Sequence, residues 1–441
     1  MIAPDRQAVA QLALEHSRAL GADEVVVRLT ESRQTELGWR DGRTERSQES
    51  RSLSLRVSLL VQDRWSVHGT SDLRPDALRS FLDRAVSATR HLEPDPDRRL
   101  APADQMGTVD PATLDLVDPA PPPDRAARLA TVAEIEAQVR AEAQGLPLKS
   151  AAAHSWEGAS ESLVLWSNGH QGAHASTYCG FTAELTLSDA EGRLPEGYAS
   201  AATRHRADLP SPQLVASEAV ARARVRLGSR PARSGRYPML VHFSRVGRVL
   251  GTLLTPFTGA ALYEGRSCLQ DAFGQTVSPN GFTLIDDPLV PRGMGSRPFD
   301  SDGLPARAWP LVQDGVLSSP LVDVYAARRL GRAPTTGGTS NLILPPGTRS
   351  QDELLRSAPQ VMLVDGVLGG NCNAATGAFS FGVSGVLYEN GAPVQNISEM
   401  NITGSLTDLL ASWVENAREV WTFGSWRTPS VLFDAVQFSG S

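Results

Sequence analysis

The sequence predicts an α+β protein: two domains built from mixed β-sheets with flanking helices. Three observations lead there. Segments that alternate apolar and polar residues, the signature of half-buried strands, recur along the whole chain. Helical patterns fall between them without the regular strand–helix cadence of a parallel α/β fold. A segment rich in glycine, proline and arginine, GSRPARSGRYP, interrupts the pattern near the middle of a chain whose 441 residues exceed one ordinary domain.

Residues 4–20 place Val9, Leu12, Ala13 and Leu20 near one helical face, and Gly21 stops the run. EVVVRLTES alternates and predicts a strand, with Asp41-Gly42 as a hairpin turn further on. SLSLRVSLLVQDRWSVHGTS predicts two strands turning at Gln62-Asp63, and Leu73–Thr89 predicts a helix. Residues 92–124 form a connector dense in proline and aspartate. ARLATVAEIEAQVRAEAQ is an amphipathic helix, residues 150–190 supply long strands, and Pro212–Leu227 predicts a third helix capped by Ser211. The domain boundary falls next, giving an N-terminal α+β domain over 1–228 and a C-terminal β-rich domain over 229–441. PMLVHFS then predicts a strand, and Arg245–Ala261 a helix broken near Pro256. An irregular stretch follows over 262–310. Glycine-punctuated strands, a helix at about Leu406–Asn416 and the strand SVLFDAVQFSG close the chain.

Composition narrows the function. Hydrophobic residues make up 41% and charged residues 21%, which are globular proportions. The net charge of −7, with no clustered basic run, argues against a nucleic-acid partner. The three cysteines, Cys179, Cys268 and Cys372, are isolated, as suits reduced thiols. The N-terminal segment is charged and amphipathic, unlike a signal peptide, and no apolar run reaches the ~20 residues of a membrane span. The expected location is therefore cytoplasmic, with no membrane partner.

The sequence lacks GxSxG, a P-loop and a GxGxxG in strand–helix context. His170 and His174 have zinc-ligand spacing only if helical, and the glycines around them argue against a helix. Asp300-Ser301-Asp302-Gly303 opens like a calcium loop, but Leu311 stands where the final Glu belongs, so a hydrogen-bonded turn is expected. Gly369, Gly370, Gly377, Gly382 and Gly385 crowd a strand-rich region. Glycines there serve either tight turns and bulges or the close approach of another backbone, such as a docked peptide strand. Cys372 lies in the same loop without a local histidine to form its thiolate.

Several segments, in order, resemble the TldD/PmbA family. They are ADEVVVRLTES with SLSLRVSLLVQDRWSVHGTSDL, then DDPLVPRGMGSRPFDSDGLPARAWPLVQDGVLSSPLVDVYAARRLG, TTGGTSNLIL, GGNCNAATGAFSFGVSGVLYENGAPV, and ISEMNITGSLTDLL. The resemblance implies peptide processing and tilts the glycine-rich region towards a peptide channel containing Gly369, Gly370, Asn371, Cys372, Asn373, Thr376 and Gly377. The family's catalytic subunit carries HExxxH on the helix that opens the C-terminal domain, with a Cys ligand near the C-terminus. Here the corresponding residues 243–263 contain no His, Glu, Asp or Cys. The best register sets Gly251 and Pro256 at the histidine positions and Thr252 at the glutamate. His242 and Glu264 flank the window at opposite ends, and no Cys follows Cys372. The expectation is a TldE/PmbA-like subunit with no catalytic residue, metal or cofactor of its own. It would work with a TldD-like, zinc-bearing partner on extended peptides. The alternatives are a homodimeric peptide-binding scaffold and an independent hydrolase using Cys372.

Overall fold

The computed structural model describes residues 4–440. Helix α1 (Pro4–Ala19) leads into β1 (Glu24–Arg40), β2 (Arg43–Val61), β3 (Arg64–Thr70) and α2 (Pro75–Thr89). After the connector come α3 (Arg125–Glu142), β4 (Leu148–Trp166), β5 (Gln171–Leu187), β6 (Glu196–Thr203) and α4 (Pro212–Arg224). The six strands form one antiparallel sheet in the order β3-β2-β1-β4-β5-β6. The two expected turns are present. Asp41-Gly42 and Gln62-Asp63 hold positive φ at both positions, the handedness that matches the twist of the flanking strands.

Alternation decides what each face of this sheet meets. Val25, Val27, Leu29, Leu55 and Val57 are buried with residues of α1 and α2. Further along the strands, Ala151, Ala153, Phe181 and Ala183 are buried with residues of α3 and α4. Ser211 caps α4 as expected, its Oγ accepting the Leu214 N–H at 3.2 Å. The intervening positions Val26, Arg28, Val164 and Trp166 belong to the opposite face, where Phe299 from the second half packs edge-on against Trp166.

The second half contains β7 (Gly235–Val241), α5 (Phe243–Thr252), α6 (Gly259–Tyr263), β8 (Leu284–Asp286), β9 (Trp309–Gln313), β10 (Val316–Leu317), α7 (Val324–Leu330) and β11 (Leu342–Ile343). It continues with α8 (Gln351–Leu355), β12 (Gln360–Cys372), β13 (Ala378–Glu389), β14 (Ala392–Ser405), α9 (Leu406–Ala411), β15 (Trp413–Trp421) and β16 (Trp426–Ser439). Strand β7 pairs with β12 on one side and β16 on the other, so β7-β12-β13-β14-β16 closes on itself. Met239, Val241, Phe381, Val383, Phe433 and Phe438 from these strands share the largest core with Val246, Val249 and Leu250 of α5. The helix expected over Leu406–Asn416 ends at Ala411 instead. Trp413–Trp421 is a strand, because it finds a partner edge in β16. Among the described residues, no helix is long and apolar enough to cross a membrane.

Candidate functional site

Helix α5 opens the C-terminal half and carries the positions where the resemblance places a metal motif. Its buried face packs Val246, Val249 and Leu250 into the core. Gly247 and Gly251, one turn apart, lie against the indole of Trp426, the first residue of β16. A Cβ at Gly247 would stand 2.6 Å from that ring, and one at Gly251 would stand 3.2 Å from it. An aromatic ring therefore fills the space into which longer side chains would project. Thr252 returns its hydroxyl to the Arg248 carbonyl at 3.1 Å. Pro256 sits buried in a one-turn 3-10 helix, Thr255–Phe257, which supplies the expected break, and its carbonyl accepts the Ser267 hydroxyl at 2.6 Å.

The flanking candidates are engaged elsewhere. His242 is the N-cap of α5, and its Nδ1 lies 2.9 Å from Ser244 Oγ. Burial, followed by Arg222 and Arg245, pushes it down to about 3. Glu264 ends α6 and pairs with Arg266. Among the described residues, no group of three or more His, Cys, Asp or Glu is placed to hold a metal ion. The residues at α5 do not fit zinc, which needs three or four N, O or S ligands about 2 Å from one point.

His170 and His174 are not helical. His170 lies in the turn before β5, with its ring 5.1 Å from Trp166, and His174 lies on β5, edge-on to Phe299 at 5.6 Å. Burial pushes His174 down to about 4, with Arg28 and Arg204 adding to the shift. Asp300 makes the expected turn, its Oδ1 accepting the N–H groups of Asp302 and Leu304 at 2.9 and 3.0 Å.

The glycine-rich segment forms the β12–β13 hairpin. Gly369, Gly370, Asn371 and Cys372 are the last residues of β12, and the turn spans Asn373 to Gly377. Asn373 Oδ1 accepts the Ala375 N–H at 2.9 Å and the Thr376 N–H at 3.3 Å, while the Gly377 N–H returns to the Asn373 carbonyl at 2.8 Å. Gly370 holds φ at +155°, and a Cβ there would overlap the Phe381 ring. Cys372 Sγ lies 3.8 Å from the Gly377 carbonyl, and burial pushes its thiol up, the setting of an inert cysteine. Parallel pairing to β7 stops at Val364, so residues 366–372 have a paired edge against β13 and an edge without a strand partner among the described residues. Leu368, 64% exposed, projects from this stretch.

Sequence reasoning missed two features of these surfaces. One is Trp426, which is distant from α5 in the chain. The other is the pairing of Arg28 with Arg56 across β1 and β2, visible only once the strand register is known.

The architecture is that of an α+β protein with two β-sheets, and comparison with known proteins places it further. Residues 234–440 match the PmbA/TldA metallopeptidase C-terminal domain, residues 25–89 match its domain 1, and residues 118–227 match its central domain. The chain belongs to the PmbA/TldD metallopeptidase family. It is 26% identical over 407 residues to the metalloprotease PmbA of Escherichia coli O157:H7, covering 91% of this chain and 89% of that protein. It is 27% identical over 395 residues to a Haemophilus influenzae PmbA homologue, covering 88% and 86%. A Bacteroides thetaiotaomicron structure, named for modulation of DNA gyrase, superposes over the full length of both chains with a TM-score of 0.92 and 30% identity. TldE from Thermococcus kodakarensis shares the fold at a TM-score of 0.83 and 18% identity, over 98% of this chain and all of that one.

Proposed function

We propose that this chain is the non-catalytic, TldE/PmbA-like subunit of a two-chain zinc metallopeptidase. A TldD-like partner supplies the metal and the hydrolytic water. This chain shapes the path by which an extended peptide reaches them. The substrates are unfolded polypeptides or ribosomally made peptide precursors. The observation that carries the reading is Trp426 packed on Gly247 and Gly251, where a metal-binding helix would present its ligands. The unpaired edge of β12 supports the peptide path, since an extended chain can bond to a free strand edge and be read through pockets for alternate side chains.

The test is metal analysis and a peptidase assay on the purified chain, with and without a TldD-like protein from the same genome. The expected result is no stoichiometric zinc in this chain, a stable complex, and cleavage of an unfolded peptide only in the mixture. Stoichiometric zinc or cleavage by the chain alone overturns the reading. Solo cleavage lost in Cys372→Ala would establish the independent hydrolase. A self-dimer that binds peptide and ignores the partner would establish the scaffold.

A further inference from the structure

The β1–β2–β3 face that points away from α1 and α2 borders a cleft of about 240 Å³, open to solvent at Arg56 and Val67 and walled on its other side by the second half of the chain. Arg28 of β1 and Arg56 of β2 line it as direct cross-strand partners. Like charges directly opposite one another weaken a sheet. Elsewhere on this sheet arginines are neutralised: Arg33 of β1 and Arg51 of β2 both pair with Glu31. Arg28 and Arg56 make no ion pair or side-chain hydrogen bond to any described residue. Burial, then Arg56, shifts Arg28 down, as expected for a guanidinium without a counter-charge.

The other walls are specific. Trp65, Trp166 and Tyr325 provide aromatic surface, with the Arg98 guanidinium 3.5 Å from the centre of the Tyr325 ring. Asp302 and Asp323 also line the cleft. One oxygen of each is engaged by the start of α7: Asp302 Oδ2 accepts the Val324 N–H and Asp323 Oδ1 the Ala326 N–H. Arg98 and Arg99 of the connector also line it, but they pair with Asp95 and Asp63. The lining therefore offers cations without a counter-charge from the sheet and carboxylates from the loops, with aromatic rings among them. A small multiply charged anion would suit the arginines and be repelled by the aspartates. A ligand carrying both a carboxylate and an N–H group suits both. The volume lies below the ~300–1,000 Å³ usual for drug-sized ligands, which sets the scale at about one amino-acid residue.

We propose that this cleft binds an α-carboxylate with its amino or amide nitrogen, presented by a free amino acid or by the C-terminal residue of a peptide. Arg28 and Arg56 hold the carboxylate through paired N–H donors, the rings enclose the side chain, and Asp302 and Asp323 face the nitrogen. The peptide-end form rests on the peptide-handling reading above, and the free-amino-acid form does not.

The test uses the full chain without any partner, so its failure is distinct from failure of the two-subunit reading. Isothermal titration is run with L-phenylalanine, Ala-Ala-Phe, Ala-Ala-Phe amide and inorganic phosphate. The expected result is binding of at least one free-carboxylate probe, with about tenfold or greater loss for the amide and for Arg56→Gln. Phosphate competes poorly. Binding of phenylalanine alone assigns a free amino acid, and binding of the tripeptide assigns a peptide end. Arg56 is exposed, so R56Q should keep the fold, and its melting temperature verifies this. R28Q provides the second variant. No binding of either acid, equal binding of the amide, full competition by phosphate, or unchanged affinity in folded R56Q overturns the proposal.

Discussion

Trp426 and Gly247 make the contact whose consequence can be stated most sharply. Adding one methyl group at Gly247 pushes a Cβ to 2.6 Å from the indole of Trp426. Overpacking of this kind costs about 1–3 kcal/mol, so Gly247→Ala should lower stability by that amount in urea unfolding. Combining it with Trp426→Ala should make the glycine change nearly neutral. If Gly247→Ala costs the same with or without the ring, the packing account fails. Asp302 gives a second expectation at this scale. Burial, with Asp300 and Asp323 nearby, pushes it up to about 6. The unfolded chain loses this proton near pH 4, so the folded state is penalised progressively as pH rises from about 4 to 6, and the penalty persists above that. Asp302→Asn removes it. The variant should gain on the parent protein between pH 4 and pH 7, by up to about 3 kcal/mol. A stability difference that is the same at both pH values would contradict the assignment.

Elements whose signals are local were legible in the sequence. The two-residue turns, the Ser211 cap and the break at Pro256 follow from chemistry that acts within a few residues. Strand β15 was not legible: residues 413–421 carry no clean period-two pattern, and only pairing with β16 makes them extended. The candidate site divides the same way. The absence of ligand-type residues over 243–263 can be read directly, whereas the ring that fills their space comes from residue 426 and required the fold. The β12–β13 hairpin was recognisable from its glycines, but its free edge depends on β7 pairing only as far as Val364. The helix itself is the place to test whether composition or space governs the metal motif. Gly251→His, Thr252→Glu and Pro256→His together restore HExxxH in sequence. The prediction is that the triple variant still takes up no stoichiometric zinc, read by metal analysis after dialysis. A His side chain at 251 meets Trp426, and Pro256 occupies a 3-10 turn outside α5. Tight zinc binding by this variant would show that ligand identity alone is missing.

Among the contacts that join the two halves of the molecule are arginines that donate to backbone carbonyls. Arg328 on α7 reaches the carbonyls of Asp97, Arg99 and Leu100 in the connector at 3.2, 2.7 and 2.6 Å. Arg204, just after β6, reaches the carbonyls of Gly293 and Met294 at 3.3 and 2.5 Å and that of Thr177 at 3.2 Å. The fork of five donors explains why arginine serves here: a lysine ammonium on its flexible stem could not satisfy three such carbonyls in fixed geometry. Burial disfavours the Arg204 charge, so carbonyl dipoles must stabilise it, since no carboxylate among the described residues pairs with it. Removing the side chain would leave those carbonyls without their donor at a joint between sheet and loop. Arg204→Ala should therefore cost about 2–3 kcal/mol, the scale of hydrogen bonds to a charged group. The loss should be spatially uneven: amide exchange should accelerate in residues 293–307, which cover the sheet, while β12 and β13 in the closed ring keep their protection. Uniform acceleration across both halves would mean that Arg204 supports global stability. Unchanged exchange in 293–307 would mean that the packing of Phe299 on Trp166 holds the halves together without it.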